Sequence, residues 1–140
     1  MAGGATCRVS RDARILARAL KKPTLRLAIE INKRVREKDE WFEEPDDLER
    51  VSRALSSVDR EENPVVAAAI LAFQVTRAQG FAEGNKRSAL LLARWVLDNN
   101  GLDGSRVLPS DDLVLADLLI QAASGADVER DIIAKLQERI

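Results

Sequence analysis

Residues 79–100 read QGFAEGNKRSALLLARWVLDNN, a short loop with two glycines that runs into a long apolar helical segment. Apolar side chains cover most of the circumference of a helix over this segment, which indicates the buried central helix of the fold. The helix is predicted to open at Gly84 or Asn85 and to run to Asn100, with Gly101 as its C-terminal stop. A carboxylate, a Gly-Asn pair and two basic residues therefore stand together at one helix N-terminus.

Outside this stretch, apolar residues recur with helical spacing almost throughout, so the sequence predicts an all-α protein. The first of the other predicted helices follows Ser10 and carries Ile15, Leu16 and Leu20, and the second runs from about Thr24 to Lys38. The third starts near Pro45 and carries Leu48, Val51, Leu55 and Val58, and the fourth runs from Pro64 to about Gln79, where Gly80 stops it. A further helix starts at Ser110 and ends at Gly125, with Leu113, Ala116, Leu119 and Ile120 in its core stripe, and the last carries Val128, Ile132, Ile133, Leu136 and Ile140. Residues 101–109 are predicted to be a loop. We expect a compact bundle of six or seven helices, without a convincing strand.

The length and composition indicate one domain. The chain has 140 residues, of which 46% are apolar and 32% charged, so it can bury a single core and has the balance of a soluble globular protein. We expect residues 1–9 to be a disordered tail and residues 10–140 to be one helical domain. The single cysteine, Cys7, excludes an intramolecular disulfide.

The charge and the hydropathy pattern restrict the partners. A formal net charge of −1 argues against direct binding of nucleic acid, which needs a basic face. No apolar stretch reaches the length of a membrane span, and the N-terminus lacks the apolar region of a signal peptide. No membrane partner and a cytoplasmic location are therefore expected.

Residues 39–47 interrupt the helical pattern, with Trp41 and Phe42 side by side among acidic residues. Two interpretations stay open. The segment is either a loop that folds both rings onto the core or a short exposed flap that docks a partner.

The loop at residues 79–87 has the composition of a phosphate site. Backbone N–H groups after Gly84 and the positive end of the helix dipole favour an anion, and Asn85 can either hold the loop or donate to a phosphate. Lys86 adds a point charge, and Arg87 can grip two phosphate oxygens. Glu83 is placed to hold a Mg²⁺ that bridges phosphate oxygens. The alternative is ordinary turn chemistry at the start of a helix.

The same segment resembles the core motif of the Fic/Doc (fido) family, His-Pro-Phe-x-Asp/Glu-Gly-Asn-Gly/Lys-Arg. The residues that match this motif in register are Phe81, Glu83, Gly84, Asn85, Lys86 and Arg87. Lys86, and Leu90 where a second Arg would stand, resemble the Doc toxin branch more than the typical Fic adenylyltransferases. A weaker likeness to Doc extends over about residues 24–140.

The resemblance implies a compact helical bundle that transfers a phosphoryl or nucleotidyl group from ATP or another nucleotide to a protein hydroxyl, with Mg²⁺. Glu83 would be the metal residue, and Gly84, Asn85, Lys86 and Arg87 would bind the phosphates. The Doc branch phosphorylates a translation elongation factor and is neutralised by an antitoxin, so kinase-like transfer is favoured over AMPylation. The implied partners are thus a nucleotide, a protein target and an antitoxin.

Gln79 departs from the motif, because it takes the position of the catalytic histidine, and Gly80 takes that of the proline. The chain contains no histidine that could replace it. A neutral amide has no useful basicity, and loss of a general base costs a factor of about 10²–10⁴ in rate. Gln79 could be an engineered or natural inactivation, a mark of a relative that binds nucleotide without transfer, or suited to a reaction that needs no base or uses Glu83 as the base.

Three functions remain from the sequence. The first is a Doc-like transferase, the toxin of a toxin–antitoxin pair, weakened or inactive because of Gln79. The second is a non-catalytic relative that binds Mg-nucleotide or another anion and acts as a regulatory or interaction module. The third is a purely structural helical interaction domain.

Overall fold

The computed structural model describes residues 20–36 and 45–140, and within these ranges the chain forms seven helices and no strand. The helices are α1 (Leu25–Arg36), α2 (Leu48–Ser56), α3 (Pro64–Ala78), α4 (Asn85–Asn99), α5 (Gly104–Val107), α6 (Leu113–Ala123) and α7 (Glu129–Gln137). The prediction of a compact all-α bundle is confirmed. The expected tail at 1–9, the helix after Ser10 and the two interpretations of Trp41 and Phe42 lie outside the described residues.

Helices α3 and α4 pack against each other along their length and form the centre of the bundle. In α3 the buried run Ala67-Ala68-Ala69 and Ala72 leaves little side chain between the two helices, so they can approach closely. Helices α1 and α2 cover one side of the pair, and α6 and α7 cover the other. The predicted central helix α4 therefore shares that position with α3.

Two of the helix starts show how capping residues fix the boundaries. Asn63 caps α3 as its Oδ1 accepts from the backbone N–H of Val65 at 2.9 Å, and Pro64 is the first helical residue. The prediction that α2 begins at Pro45 was wrong. Asp47 is its N-cap and accepts from the backbone N–H of Arg50 at 3.2 Å, so the helix cannot begin before residue 48.

The predicted core stripe of α6 was wrong in two positions. Leu113 is 82% exposed and Ile120 is 52% exposed, whereas Leu115, Leu119 and Ala122 are buried. The helix is apolar around most of its circumference, so periodicity does not select the buried face. Its start was also misplaced, since the N-cap is Asp112 rather than Ser110.

The C-terminal end of the chain is held by Asp112, whose carboxylate pairs with the guanidinium of Arg139 and accepts from the backbone N–H of Leu115. Burial of this carboxyl acts to raise its pKa, but the Leu115 N–H and the positive charge of Arg139 outweigh it and hold the pKa below its ordinary value. Arg139 also donates to the carbonyl of Val107, the last residue of the short helix α5 that the sequence pattern missed. Ile140 was wrongly assigned to the last helix, which ends at Gln137.

Helix α1 and the residues just before it are tied to the two ends of α4. At the far end, the side-chain amide of Asn100 accepts from the Lys21 N–H at 2.9 Å and donates to the Lys21 carbonyl at 2.9 Å. At the near end, α1 packs under the loop that precedes α4. None of the helices in the described ranges is both long and apolar enough to cross a bilayer. The cytoplasmic location remains a prediction.

Candidate functional site

A cleft of about 500 Å³ opens between the loop before α4 and the C-terminal end of α6. Its lining is Gln79, Ala82, Glu83, Gly84, Asn85, Lys86, Arg87, Ile120, Ala123 and Ser124. The six predicted site residues, Gln79, Glu83, Gly84, Asn85, Lys86 and Arg87, therefore lie around one cavity. The wall formed by Ile120, Ala123 and Ser124 was missed, because Ile120 was assigned to the core.

The first turn of α4 supplies the polarity of an anion site. No side chain caps its first amides, and the turn contains no acidic residue. Lys86 and Arg87 are exposed in this turn, and Lys86 makes no ion pair with any carboxylate in residues 20–36 or 45–140. Free N–H groups, a positive dipole end and two cations can together hold a phosphate.

The side chain of Asn85 holds the loop. Its Oδ1 accepts from the Phe81 N–H at 3.0 Å, and its Nδ2 donates to the Phe81 carbonyl at 2.8 Å. The residue is buried, and both ends of its amide are used. Of the two roles that the sequence allowed for the Asn85 side chain, the structure shows the first, which is to hold the loop. Only the backbone N–H of Asn85 is left to donate to a phosphate.

Gly84 is needed for packing and for its backbone angle. It is the N-cap of α4 at φ 75°, where residues with a side chain are strained. A Cβ here would lie 2.8 Å from Cγ1 of Val35 and 3.3 Å from Nδ2 of Asn32, both in α1. The missing side chain of Gly84 therefore makes room for α1, and a Cβ would point toward α1.

A buried asparagine in α1 supports the loop from below. Asn32 Nδ2 donates to the Glu83 carbonyl at 2.8 Å and to Ser88 Oγ at 3.0 Å, while its Oδ1 accepts from Arg36. The sequence analysis missed this residue. The available signal was a polar side chain four positions after Ala28, on the face of α1 that packs inward.

A second support comes from Asp46, just before α2. Its Oδ1 accepts from the Ala82 N–H at 2.7 Å and pairs with Arg36 at 3.0 Å. Arg36 thereby connects Asp46 with Asn32, and the two residues together fix the backbone on both sides of the Ala82–Glu83 peptide. No motif in the sequence indicated Asp46 or Arg36.

Gln79 ends α3 in the left-handed region, at φ 50°. Its Nε2 donates to the Thr76 carbonyl at 2.6 Å, and its Oε1 has no partner among the described residues. The sequence assigned the stop of this helix to Gly80, whereas the left-handed residue at its end is Gln79. Gly80 is required by contact, since a Cβ would lie 2.6 Å from Cγ2 of Val51 and 3.0 Å from the Asp47 carbonyl oxygen.

The sequence model of the Fic/DOC family matches residues 10–97, well over half of the chain. The chain belongs to the Fic/DOC family. No curated protein and no solved structure matches it closely enough for comparison. The match ends within α4, so the likeness of residues 98–140 to the Doc C-terminal helices stays a prediction.

Membership of the Fic/DOC family indicates a Fic-type transferase, and the matched residues include those at 79–87 that line the cleft. No three Asp, Glu, His or Cys side chains meet as a metal cluster in the described part of the chain. The one carboxylate in the lining of the cleft is that of Glu83, which could hold Mg²⁺. This fits Mg²⁺, which is commonly held by one or two carboxylates together with phosphate oxygens and water. Glu83 is half-buried and lines the same cleft as Lys86.

Removal of the Asn32 amide is expected to loosen the loop of this Fic-type site. Asn32→Ala should lower the free energy of unfolding by about 2–3 kcal/mol, because buried polar groups of Glu83 and Ser88 lose their partner. Urea denaturation measures the change. Asn99→Ala is the matched control, since that exposed side chain bonds only within its own helix, to the Trp95 carbonyl. Equal losses in the two variants would contradict the support role.

Proposed function

We propose that the protein is a Doc-like transferase that moves a phosphoryl or nucleotidyl group from a nucleoside triphosphate to a protein hydroxyl, at a rate that Gln79 keeps low. The observation that carries the proposal is the uncapped N-terminus of α4, which opens into a cleft between Lys86, Arg87 and Glu83. The family match supports the reaction class.

In this mechanism the phosphates bind the first amides of α4. Lys86 supplies a point charge to the phosphate oxygens, and Arg87 grips two of them. Mg²⁺, when bound at Glu83, neutralises further phosphate charge. Such positioning and charge stabilisation make up most of the catalysis of phosphoryl transfer.

The acceptor hydroxyl would lie beside Gln79. The bond forms between its oxygen and the phosphorus as the bond from phosphorus to the bridging oxygen breaks, and the proton passes to a phosphate oxygen or to solvent. The Gln79 Oε1, held in place by the hydrogen bond from Nε2 to the Thr76 carbonyl, can accept from the hydroxyl and orient it. It cannot take the proton, so transfer proceeds without a general base.

Lys86 and Leu90 favour the Doc branch, and with it transfer of the γ-phosphoryl group over AMPylation. On this proposal the target is a translation factor, the protein is the toxin of a toxin–antitoxin pair in the cytoplasm, and a separate antitoxin chain restrains it. ATP labelled at the α or γ position distinguishes the two reactions, because only the transferred group carries label to protein.

A second candidate is a relative that binds Mg-nucleotide without transfer and serves as a regulatory module. Gln79 is the observation that favours it, since the amide is bound to the Thr76 carbonyl as a helix-end cap would be. The two candidates share the phosphate site and differ only in whether label reaches a protein.

Both candidates require nucleotide binding at α4. We expect Lys86→Ala to weaken Mg-ATP binding by about tenfold or more, the scale of one hydrogen bond to a charged group. Titration of a fluorescent ATP analogue by anisotropy gives the Kd. Lys33→Ala on α1 is the control, because Lys33 is exposed and its one ion pair among the described residues is with Glu30. Unchanged affinity in Lys86→Ala would leave a structural helical domain as the remaining interpretation.

A further inference from the structure

A second groove, of about 500 Å³, lies between α2 and α3. Its lining is Arg50, Arg53, Ala54, Gln74, Arg77 and Ala78. Three guanidinium groups therefore border one hollow whose lining includes no carboxylate. One alanine from each helix, Ala54 and Ala78, is the apolar part of this lining, and their small side chains leave room between the helices.

Arg77, on the α3 side of the groove, is oriented by an aromatic ring. Its guanidinium lies 5.6 Å from the ring centroid of buried Phe73, a cation–π arrangement that orients the group. It makes no ion pair with a carboxylate in the described part of the chain. A guanidinium that is stacked on a ring and lacks an acidic partner can still donate to a carboxylate in bidentate fashion.

The other two arginines have only weak local partners. Arg50 lies 3.5 Å from Asp47 and Arg53 lies 3.7 Å from Glu49, and all four side chains are more than half exposed. Exposed pairs within one helical turn contribute little to stability, so an incoming anion can replace them at small cost. Gln74, also in the lining, donates from Nε2 to the Glu129 carboxylate at 2.9 Å, so one acidic residue lies near Gln74.

The arginine groove, the hollow that Arg50, Arg53 and Arg77 border, lies near the cleft at Gln79 along α3. Ala78 lines the groove and the next residue, Gln79, lines the cleft, so both hollows reach the C-terminal end of α3. A chain segment that lies in the groove would therefore lead its neighbouring residues to Gln79.

We propose that the arginine groove binds an acidic segment of the protein acceptor and thereby delivers a nearby hydroxyl to the cleft. The identity of the segment as part of the acceptor rests on the proposed function, whereas its acidic chemistry follows from the groove itself. Charge complementarity of this kind contributes more to selection of a partner and to the rate of encounter than to raw affinity.

The test uses a fluorescein-labelled peptide of glutamates followed by a serine, titrated with the full-length protein at low salt and followed by anisotropy. The double variant Arg50→Gln/Arg77→Gln should bind it about tenfold more weakly, since two exposed charge pairs are lost. Arg130→Gln, an exposed arginine on α7, is the matched control and should bind like the unchanged protein. Affinity should also fall as salt is added.

Three results would overturn the inference: no binding of the glutamate peptide by the unchanged protein, equal affinity of the double variant and Arg130→Gln, or displacement of the peptide by a single-stranded oligonucleotide that binds the groove more tightly. The Kd for Mg-ATP of the double variant, expected to be unchanged, separates this inference from the proposed function. If the unchanged protein binds the peptide but not Mg-ATP, the groove stands and the transferase proposal fails.

Discussion

Gln79→His is expected to raise the rate of label transfer from ATP to protein by a factor of about 10²–10⁴, the usual contribution of a general base. The position suits the change, because Gln79 has φ 50° and histidine is among the residues that adopt the left-handed region more readily than most. The imidazole would stand in the same cleft as Glu83 and Lys86. Radiolabelled ATP incubated with Mg²⁺ and cell extract provides the measurement.

Gln79→Asn is the matched control, since asparagine tolerates the same backbone angle and supplies an amide without basicity. Its transfer rate should stay near that of the unchanged protein. Gly80 should be left as it is, because any Cβ there meets Val51 and the Asp47 carbonyl, so restoration of the family's His-Pro pair would disturb α2. A Gln79→His protein that binds Mg-ATP yet transfers no label would contradict the transferase and favour the binding module.

Gly84→Ala is expected to lower the free energy of unfolding by about 2–4 kcal/mol. Part of the loss is the strain of a side chain at φ 75°, about 1–2 kcal/mol. The remainder, about 1–2 kcal/mol, comes from overpacking, since the new Cβ would lie 2.8 Å from Val35 Cγ1. Urea denaturation measures the stability, and Mg-ATP affinity should fall with it as the loop shifts from α1.

Gly101→Ala separates the two contributions. Gly101 has φ 85° and nothing within 4 Å of an added Cβ, so only the backbone strain applies. We expect a loss of about 1–2 kcal/mol and unchanged nucleotide affinity. If Gly84→Ala costs no more than Gly101→Ala, the packing of α1 beneath the loop is not what constrains residue 84.

The existence of the longer described helices followed from the sequence, because apolar spacing is a local property that the four-residue helix α5 is too short to show. Asn63 with Pro64 marked the start of α3 to the residue. The predictions of buried faces and of helix starts were wrong where the local sequence signal was ambiguous. Helix α6 is apolar on most sides, so only its contacts with α3 and α7 reveal that Leu113 points outward. Pro45 looked like a helix start, but Asp47 is the residue that caps α2.

The site was predictable to the extent that it is contiguous in the chain. Glu83 to Arg87 come together through one loop and one helix turn, so a motif reveals them. Asn32 and Asp46 reach the same loop across 51 and 36 residues of sequence. No pattern in a single sequence indicates contacts between residues so far apart in the chain. The one local sign of Asn32 was its position as a polar residue on an apolar helix face.

Helix α1 also bears on the order in which a newly made chain can acquire its function. Lys21, just before α1, is tied to Asn100 across 79 residues, and Asn32 in α1 bonds to the Glu83 carbonyl across 51. Helix α1 is therefore made first among the described helices, yet it must wait for partners made much later. Pairings of this separation form slowly. During translation the cleft therefore stays unfinished until α4 has left the ribosome, and a nascent chain cut short before Asn100 should lack the activity proposed for the cleft.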